Sequence, residues 1–199
     1  LCNLAATAAT DSTGGLFFDR NVAAINHLRV RCNWTFLGPI GRYPHTFGGL
    51  FRVDDFLLLN KMVEHTELNT RAWVFQERLL SPRIVHFAQN QLVWECKNGR
   101  ACEMYPGGVP NGPGSVAKWS HFWPIKTFAL ELTTKSAKEA HRDWRLIVQR
   151  YSGLDLTKRK DVLVALSGLA KLMQNAMGDE YLAGLWETTI AHDLLWERR

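Results

Sequence analysis

The sequence predicts a mixed α+β fold, with strands concentrated in the first half of the chain and helices in the second. Residues 83–88 and 91–96 are rich in branched and aromatic side chains and flank a short turn, as in a β-hairpin. Beyond a loop rich in Gly and Pro, two segments repeat apolar residues at helical spacing. The chain of 199 residues is 46% apolar and 22% charged, which is enough apolar material for a packed core.

The elements that precede residue 60 are short and separated by turns. Residues 1–10 predict a buried strand or a helix, and periodicity does not decide between the two. Residues 11–15 predict a turn, and the alternation over residues 30–36 indicates a strand. Gly and Pro mark loops at residues 38–44 and at residues 48–49.

The segment of residues 70–87 is dense in charges and large apolar groups. Asn69 or Thr70 is expected to cap a helix over residues 71–80. The helix should end just before Pro82, because the residue before a proline leaves helical geometry and proline has no N–H. The apolar side chains that this helix is expected to bury are Ala72, Trp73, Phe75 and Leu79.

Polar side chains surround the same helix, namely Arg71, Gln76, Glu77, Arg78 and Arg83. One interpretation is a structural corner, in which arginine forks and the glutamine amide bond Glu77 and the carbonyls at the helix end. The other is catalytic, which would require Glu77 or His86 to lie in a pocket with a shifted pKa. The residues alone leave both interpretations open.

The second hairpin strand should alternate between two faces, one with Leu92, Trp94 and Cys96 and the other with Gln91, Val93 and Glu95. Cys96 and Cys102 have no second close pair of cysteines beside them, so the metal-ligand spacing of a zinc site is lacking. We therefore expect two half-buried thiols and no metal.

Two amphipathic helices are expected in the second half. One covers residues 139–151, and its apolar stripe consists of Trp144, Ile147, Val148 and Tyr151. The other covers residues 158–176, with Thr157 as its N-cap and Gly178 as its stop, and its stripe consists of Val162, Leu166, Leu169, Ala170 and Met173. Cations in its first turn, Lys158, Arg159 and Lys160, would be solvated or would face an anion.

Charge and composition exclude some classes of protein. The net charge is +5, but the basic residues are interspersed with acids along most of the chain, so we expect no nucleic-acid binding. No secretory signal and no apolar run of about 18 residues occurs, so we expect no membrane segment. The four cysteines show no disulfide pattern, and we expect a reduced, cytoplasmic protein.

The segment LNTRAWVFQERLLSPR at residues 68–83, followed by Phe87 and by QLVWEC at residues 91–96, resembles a motif block of the fungal heterokaryon incompatibility (HET) domain. Residues 5–17 resemble the part of the family that precedes this block. Segments that resemble the region after the block are residues 151–170, 181–186 and 194–196. The motif residues that we expect to matter are Arg71, Trp73, Gln76, Glu77, Arg78, Pro82, Arg83, Trp94, Glu95 and Cys96.

The resemblance implies three regions. Residues 1–105 would be the C-terminal part of a HET domain, residues 106–118 a Gly/Pro-rich loop, and residues 119–199 a following helical region. The family's earlier blocks and the aromatic segment after its last Leu-Leu-Trp are absent from the sequence. We therefore expect a fragment that is truncated at both ends.

The resemblance also implies a function in fungal non-self recognition, where such domains trigger cell death or growth arrest. HET domains are considered similar to Toll/interleukin-1 receptor-like domains, some of which cleave NAD, which implies an α/β fold present here only in part. The first hypothesis is an interaction and effector module with protein partners, in which Trp73 and Arg83 hold the fold together. The second is an NAD-hydrolysing enzyme in the intact protein, with Glu77 orienting a ribose or stabilising positive charge. A third is an inactive fragment. No cofactor is evident, and NAD would be the substrate of the intact protein.

Overall fold

A computed structural model describes residues 1–37, 44–53, 59–109 and 136–195 and has a mixed α+β fold, as the sequence predicts. The strands are β1 (Asn3–Ala5), β2 (Leu28–Leu37), β3 (Pro44–Val53), β4 (Arg83–Phe87), β5 (Leu92–Cys96), β6 (Gly99–Cys102), β7 (Tyr181–Leu182) and β8 (Leu185–Trp186). The α-helices are α1 (Glu67–Thr70), α2 (Ala72–Leu80), α3 (Ala137–Tyr151), α4 (Ser167–Met177) and α5 (Ile190–Asp193).

A four-stranded sheet with the strand order β1-β4-β5-β6 forms the centre of the first half. β1 runs parallel to β4, and the other neighbours are antiparallel. The predicted hairpin is therefore confirmed, and the opening residues form a strand. β6 was not anticipated from the sequence, although Asn98 and Gly99 are a strong turn signal directly after β5.

One face of this sheet is buried, and its side chains are Ile84, His86, Val93, Glu95, Arg100 and Cys102. A short π-helix, Asn60–Glu64, covers part of that face, and Met62 and Val63 pack there with Val93 and Cys102. The predicted alternation of β5 is confirmed, because Val93 and Glu95 point inward while the residues between them are half-buried. Three of the six are acidic or basic side chains, His86, Glu95 and Arg100, and such residues are rarely buried unless they are paired.

Helix α2 starts one residue later than predicted and is not capped as predicted. Arg71 is extended at the N-cap without a side-chain cap bond, and Asn69 instead donates to the carbonyl oxygen of Val63 at 2.6 Å. The chain leaves helical geometry at Arg71 because the Ala72 N–H bonds the carbonyl oxygen of Asp155 at 3.0 Å. The predicted stop is confirmed, since α2 ends at Leu80, directly before Ser81 and Pro82.

A second core joins α2 to the helical half of the chain. Ala72, Phe75 and Leu79 form one stripe of α2 and pack against buried residues of α3 and α4. On α3 the predicted stripe is confirmed, with Trp144, Ile147 and Tyr151 buried and Val148 half-buried. Trp73 does not join this core: its exposed fraction is 38%, because it lies on the α2 face that points away from both cores.

The single helix that we expected over residues 158–176 is wrong. Two 3-10 turns, Arg159–Asp161 and Val164–Leu166, precede α4. The hydroxyl of Tyr151 donates to the carbonyl oxygen of Val162 at 2.7 Å, in the segment between these two turns. Val162 is 41% exposed and is not part of the core stripe.

Of the two boundaries predicted for that helix, the N-terminal one is wrong and the C-terminal one is confirmed. Lys158, Arg159 and Lys160 lie in or beside a 3-10 turn and do not face the α4 dipole. Thr157 is therefore not a helix cap. Gly178 is the predicted stop, and its φ of 68° is the left-handed conformation that favours glycine.

β2 and β3 form a separate antiparallel ribbon over their full lengths. The strand predicted over residues 30–36 is confirmed and is longer at both ends. The loop expected at Gly48 and Gly49 is wrong, because both residues lie inside β3. Glycine at position 49 leaves space on the face where two aromatic rings stack. Residues 38–43 of the expected loop lie outside the described residues, as do residues 110–135.

The C-terminal part contains a two-residue hairpin turn between β7 and β8, formed by Ala183 and Gly184. Ala183 has a φ of 50°, which is uncommon for a residue with a side chain. The hairpin holds Tyr181 and Trp186 against Trp144, with ring centroids 5.2–5.8 Å apart. The Trp144 indole N–H donates to the carbonyl oxygen of Gly184 at 3.0 Å, which fixes the turn on α3.

Candidate functional site

A cleft with a volume of about 130 Å³ lies between β1, β4 and the helices α1 and α2. We call it the β1–α2 cleft, and its lining residues are Asn3, Leu4, Ala5, Ala6, Leu68, Asn69, Val74, Glu77, Arg78, Ile84 and His86. Val74, Glu77 and Arg78 lie on one stripe of α2, opposite the stripe that enters the helical core. Helix α2 therefore separates the cleft from the second core.

A buried ion pair lies behind the α2 wall of the cleft. The Arg78 guanidinium donates from Nη2 to Glu95 Oε2 at 2.7 Å, and its Nε lies 3.2 and 3.3 Å from the two carboxylate oxygens. The exposed fractions of these side chains are 5% and 0%. This fork geometry holds α2 on β5 and neutralises two charges that would otherwise be costly to bury.

His86 extends the ion pair toward β1. Its Nε2 lies 3.1 Å from Glu95 Oε2, and its Nδ1 lies 3.0 Å from the hydroxyl of Thr7. Because the Glu95 carboxylate only accepts hydrogen bonds, Nε2 must carry the proton. In the neutral imidazole the Thr7 hydroxyl then donates to Nδ1.

The same geometry also accommodates a protonated His86. Nδ1–H would then donate to Thr7, whose hydroxyl donates to the carbonyl oxygen of Ala5 at 3.3 Å. Rotation of one hydroxyl hydrogen therefore satisfies either charge state of the imidazole. The arrangement can hold a proton beside the cleft without moving any heavy atom.

A second pair of buried charges lies on the same sheet face. Arg100 Nη1 donates to Glu64 Oε1 at 3.5 Å, and both side chains are at most 5% exposed. Burial lowers the pKa of the Arg100 guanidinium, Glu64 and Glu95 act to raise it, and Arg78 lowers it. Arg100 lies opposite Glu95 in the strand register, so the four groups form one alternating cluster of charges.

The predicted polar residues around α2 separate into two groups. Arg71, Glu77 and Arg83 are exposed, and of these Glu77 lines the cleft. Gln76 and Arg78 make contacts with other elements instead. Arg78 projects from α2 toward β5 and pairs with Glu95, so it is not one of the arginines that could bond Glu77.

The carbonyl groups at the end of α2 are bonded by other groups than the arginine and glutamine side chains that we expected. The carbonyl oxygen of Glu77 accepts from the N–H of Ser81 at 3.0 Å and from its hydroxyl at 2.7 Å. Gln76 does not bond this end: its side-chain oxygen accepts from the N–H of Gly168 on α4 at 2.9 Å. Pro82 is exposed and serves as the stop.

On β5, Trp94 and Cys96 are half-buried on the outer face of the sheet, away from Glu95. Four cysteines, including Cys96 and the buried Cys102, are free thiols. Within the described ranges, no group of His, Cys, Asp and Glu side chains could hold a metal ion. The structure therefore brings Glu77, Arg78 and His86 together at the cleft and leaves Trp94 and Cys96 outside it.

Thr7, Glu64 and Arg100 were not identified as functional candidates from the sequence. Thr7 and His86 are 79 positions apart, and Arg100 and Glu64 are 36 positions apart, so no local spacing connects them. The sequence feature that could have revealed the buried charges is Glu95, an acidic residue on the inward face of a strand that alternates with apolar residues. A buried acid needs a cationic partner, which directs attention to the arginines of neighbouring elements.

The chemistry of the cleft is constrained by its size and charge. Ligand pockets usually have about 300–1,000 Å³, so this cleft is smaller than a usual ligand pocket and would not hold a whole dinucleotide. Arg78 is already paired, which reduces its attraction for an anion. Glu77 is an exposed carboxylate that could accept hydrogen bonds from hydroxyl groups.

Comparison of the chain with protein-family models, curated proteins and solved structures gives no match. None of the helices in the described part of the chain combines the length and the apolar character needed to cross a membrane.

Proposed function

We propose that this chain belongs to a fungal incompatibility module of the HET type, which triggers cell death or growth arrest through contacts with protein partners. The observation that carries the proposal is how the motif residues of segment 68–96 are used. Gln76 and Arg78 hold α2 to α4 and to β5, respectively. Because these motif residues join three elements, they support a role of this segment as a scaffold that holds other motif residues at the protein surface.

The exposed motif residues supply those surfaces. Arg71, Trp73 and Arg83 are exposed, and none of them is needed to fill either core. A large aromatic ring and arginines in this setting are typical of contact surfaces between proteins. The proposal replaces the expectation that Trp73 and Arg83 hold the fold together.

A partial Toll/interleukin-1 receptor-like fold is part of the proposal. The parallel pairing of β1 with β4 supports it, because parallel neighbours require a long crossover such as those of α/β proteins. The antiparallel strands β5 and β6 would then be additions at one side of that sheet. The four free thiols support the cytoplasm, a reducing compartment, as the place of action.

NAD hydrolysis by the intact protein is a second candidate function. It is favoured by the position of Glu77, which lines the cleft beside Arg78 and His86. The exposed Glu77 carboxylate at this small cleft could accept hydrogen bonds from the hydroxyl groups of a ribose. The rest of the substrate would be held by parts of the intact protein other than this cleft.

The test is induced expression in fungal cells of this chain and of the longest reading frame that contains it, with viability and total NAD measured together. Trp73→Ala removes an exposed ring at 38% exposure, and its matched control is Leu172→Ala at 39% exposure. Loss of killing in the first variant alone, at an unchanged melting temperature, supports the contact-based module. Unimpaired growth with both unsubstituted forms would reject the proposal.

The enzymatic candidate is tested in the same cells with Glu77→Gln and, as its control, Glu67→Gln on α1. Both glutamates are exposed, but only Glu77 is among the residues that line the cleft. If the longer form depletes NAD, we expect Glu77→Gln alone to stop the depletion. Equal depletion by both variants would remove Glu77 as a functional residue, and a constant NAD level would remove the enzymatic candidate.

A further inference from the structure

The positive charge of the protein is concentrated in one stretch of sequence. Residues 20–53 contain five arginines and no acidic residue, whereas the whole chain has 24 basic and 19 acidic residues. The remaining residues therefore carry equal numbers of the two signs, and the net charge of +5 belongs to this stretch. The β2–β3 ribbon lies within it, so this stretch is an exception to the interspersion of basic and acidic residues along most of the chain.

The two faces of the ribbon differ in character. Alternation places Arg29 and Arg31 of β2 on one face, together with Arg52, which lies opposite Arg29 on β3. Arg29 and Arg31 are exposed and form no ion pair with a described residue. The Arg52 guanidinium lies 5.0 Å above the ring of Tyr105, which attaches this end of the ribbon to the rest of the protein.

The other face of the ribbon is apolar and exposed. Leu28, Trp34 and Val53 are 61%, 62% and 51% exposed, and Phe51 is 38% exposed. The rings of Trp34 and Phe51 stack with their centroids 5.9 Å apart and their planes at 9°. Apolar surface of this kind on a soluble domain commonly marks an interaction site.

The outer edge of β2 is not paired with any strand in the described part of the chain. β2 pairs only with β3 among the strands of the described ranges, so its outer edge presents backbone N–H and C=O groups. A strand added at such an edge gains main-chain hydrogen bonds, and its alternate side chains extend both faces of the sheet. The added strand would place every second side chain beside arginines and the others beside Leu28 and Trp34.

We propose that the β2–β3 ribbon binds an extended polypeptide segment in which acidic and apolar residues alternate, added as a third strand at the outer edge of β2. Such a segment complements the arginine face and the apolar face at the same time. This inference goes beyond the proposed function and does not depend on it, because it rests on the ribbon alone.

Two other occupants fit less well. A nucleic acid would need cations and stacking rings on the same side, but the arginines and the Trp34–Phe51 stack lie on opposite faces. A second copy of the ribbon would add a strand that has arginines and apolar residues but no acid, so it would not complement the charge of Arg29 and Arg31.

The test measures binding of the full chain to a fluorescein-labelled synthetic peptide of alternating Glu and Val. A peptide with the same composition but separate Glu and Val blocks is the sequence control, and a single-stranded oligonucleotide is the nucleic-acid probe. The protein variants are Arg29→Glu/Arg31→Glu for the charged face and Trp34→Ser for the apolar face. Lys158→Glu/Arg159→Glu is the matched charge control, since both of its residues are exposed and lie elsewhere.

We expect the alternating peptide to bind more tightly than the block peptide, and we expect its binding to slow amide hydrogen exchange in β2. Both ribbon variants should weaken binding by about tenfold or more, and the matched charge control should not. Equal affinity for the two peptides would overturn the proposal. Arginine-dependent binding of the oligonucleotide that is unaffected by Trp34→Ser would assign the surface to nucleic acid instead. Circular dichroism and melting temperature establish that each variant is folded.

Discussion

The side-chain oxygen of Gln76 on α2 accepts a hydrogen bond from the backbone N–H of Gly168 on α4 at 2.9 Å. The amide lies in the first turn of α4, where a helix has no internal acceptor for its N–H groups. One motif side chain therefore satisfies a helix end that lies 92 positions further along the chain.

This contact predicts that Gly168→Ala lowers stability by about 1 kcal/mol relative to Gly153→Ala, because the added methyl group must displace the Gln76 side chain and its hydrogen bond. A Cβ at position 168 would lie 2.9 Å from Gln76 Oε1 and 3.2 Å from Leu80 Cδ1. Gly153→Ala is the control, because its nearest neighbouring atom is 3.7 Å away. Urea denaturation measures both variants, and equal midpoints would contradict the role of this contact.

The buried pair of Arg78 and Glu95 predicts a large loss when only one partner is removed. Arg78→Met should cost about 3–5 kcal/mol, since it leaves the Glu95 carboxylate buried without its guanidinium. The double variant Arg78→Met/Glu95→Leu should recover only part of that loss, because His86 and Arg100 also lose the Glu95 carboxylate. Arg83→Met, at an exposed position, should change stability by about 0.5 kcal/mol or less. Additive effects in the double variant would show that the pair does not act as a unit.

Two tryptophans should differ in their contribution to stability. Trp144 is 2% exposed inside the helical core, and Trp144→Ala should cost about 3–5 kcal/mol. Trp73 is 38% exposed, and Trp73→Ala should cost about 1 kcal/mol or less. Thermal unfolding followed by circular dichroism compares them, and similar losses would place Trp73 in the core after all.

Asp179 should make stability depend on pH in the acidic range. Burial acts to raise its pKa, but hydrogen bonds from Thr188 and Glu180 and the nearby His141 together hold the pKa below its ordinary value of 3.8. The unfolded state therefore takes up this proton first as the pH falls below about 4. The stabilisation is complete above that pH and is lost as the pH falls toward the folded-state pKa.

The check is the free energy of unfolding measured between pH 5 and pH 3, and we expect a smaller acid-induced loss in Asp179→Asn than in the unsubstituted chain. Asp19→Asn is the control, because Asp19 is exposed and forms no ion pair within the described residues. Parallel stability curves for all three proteins would exclude Asp179 as a source of the dependence.

The turn between β7 and β8 predicts a gain in stability. Ala183 has a φ of 50°, and Asn tolerates this conformation better than Ala does. Ala183→Asn should therefore stabilise the protein by about 0.5–1 kcal/mol, whereas Ala183→Val should destabilise it. The two melting temperatures should lie on opposite sides of the unsubstituted value, and shifts in the same direction would contradict this account.

The parts of the fold that were predicted correctly depend on local signals. The proline stop of α2, the hairpin of β4 and β5, and the apolar stripe of α3 all follow from residues that are close in sequence. The N-cap of α3 was missed although its signal is also local, because Ser136 and Glu139 form a reciprocal capping box within one turn and the helix begins at Ala137 instead of Glu139.

The predictions that were wrong failed because of contacts between residues that are distant in sequence. The break at Arg71 coincides with a backbone bond from Ala72 to Asp155, and the break in the expected helix lies where the Tyr151 hydroxyl bonds the carbonyl oxygen of Val162. The charged cluster behind the cleft was missed for the same reason, since strand pairing brings Arg100 opposite Glu95. No periodicity within one segment encodes these contacts. The candidate site was thus only partly predictable, through Glu77, Arg78 and His86.

The parallel pairing of β1 with β4 affects the order in which the strands of the sheet pair during folding. Roughly 80 residues separate the paired positions, whereas β4, β5 and β6 follow one another directly, so closing the β1 contact is the slow step. During synthesis β1 leaves the ribosome long before its neighbour exists. A strand of three residues at the edge of a sheet is also the first to detach from it. Each such detachment would open the cleft and admit water to His86.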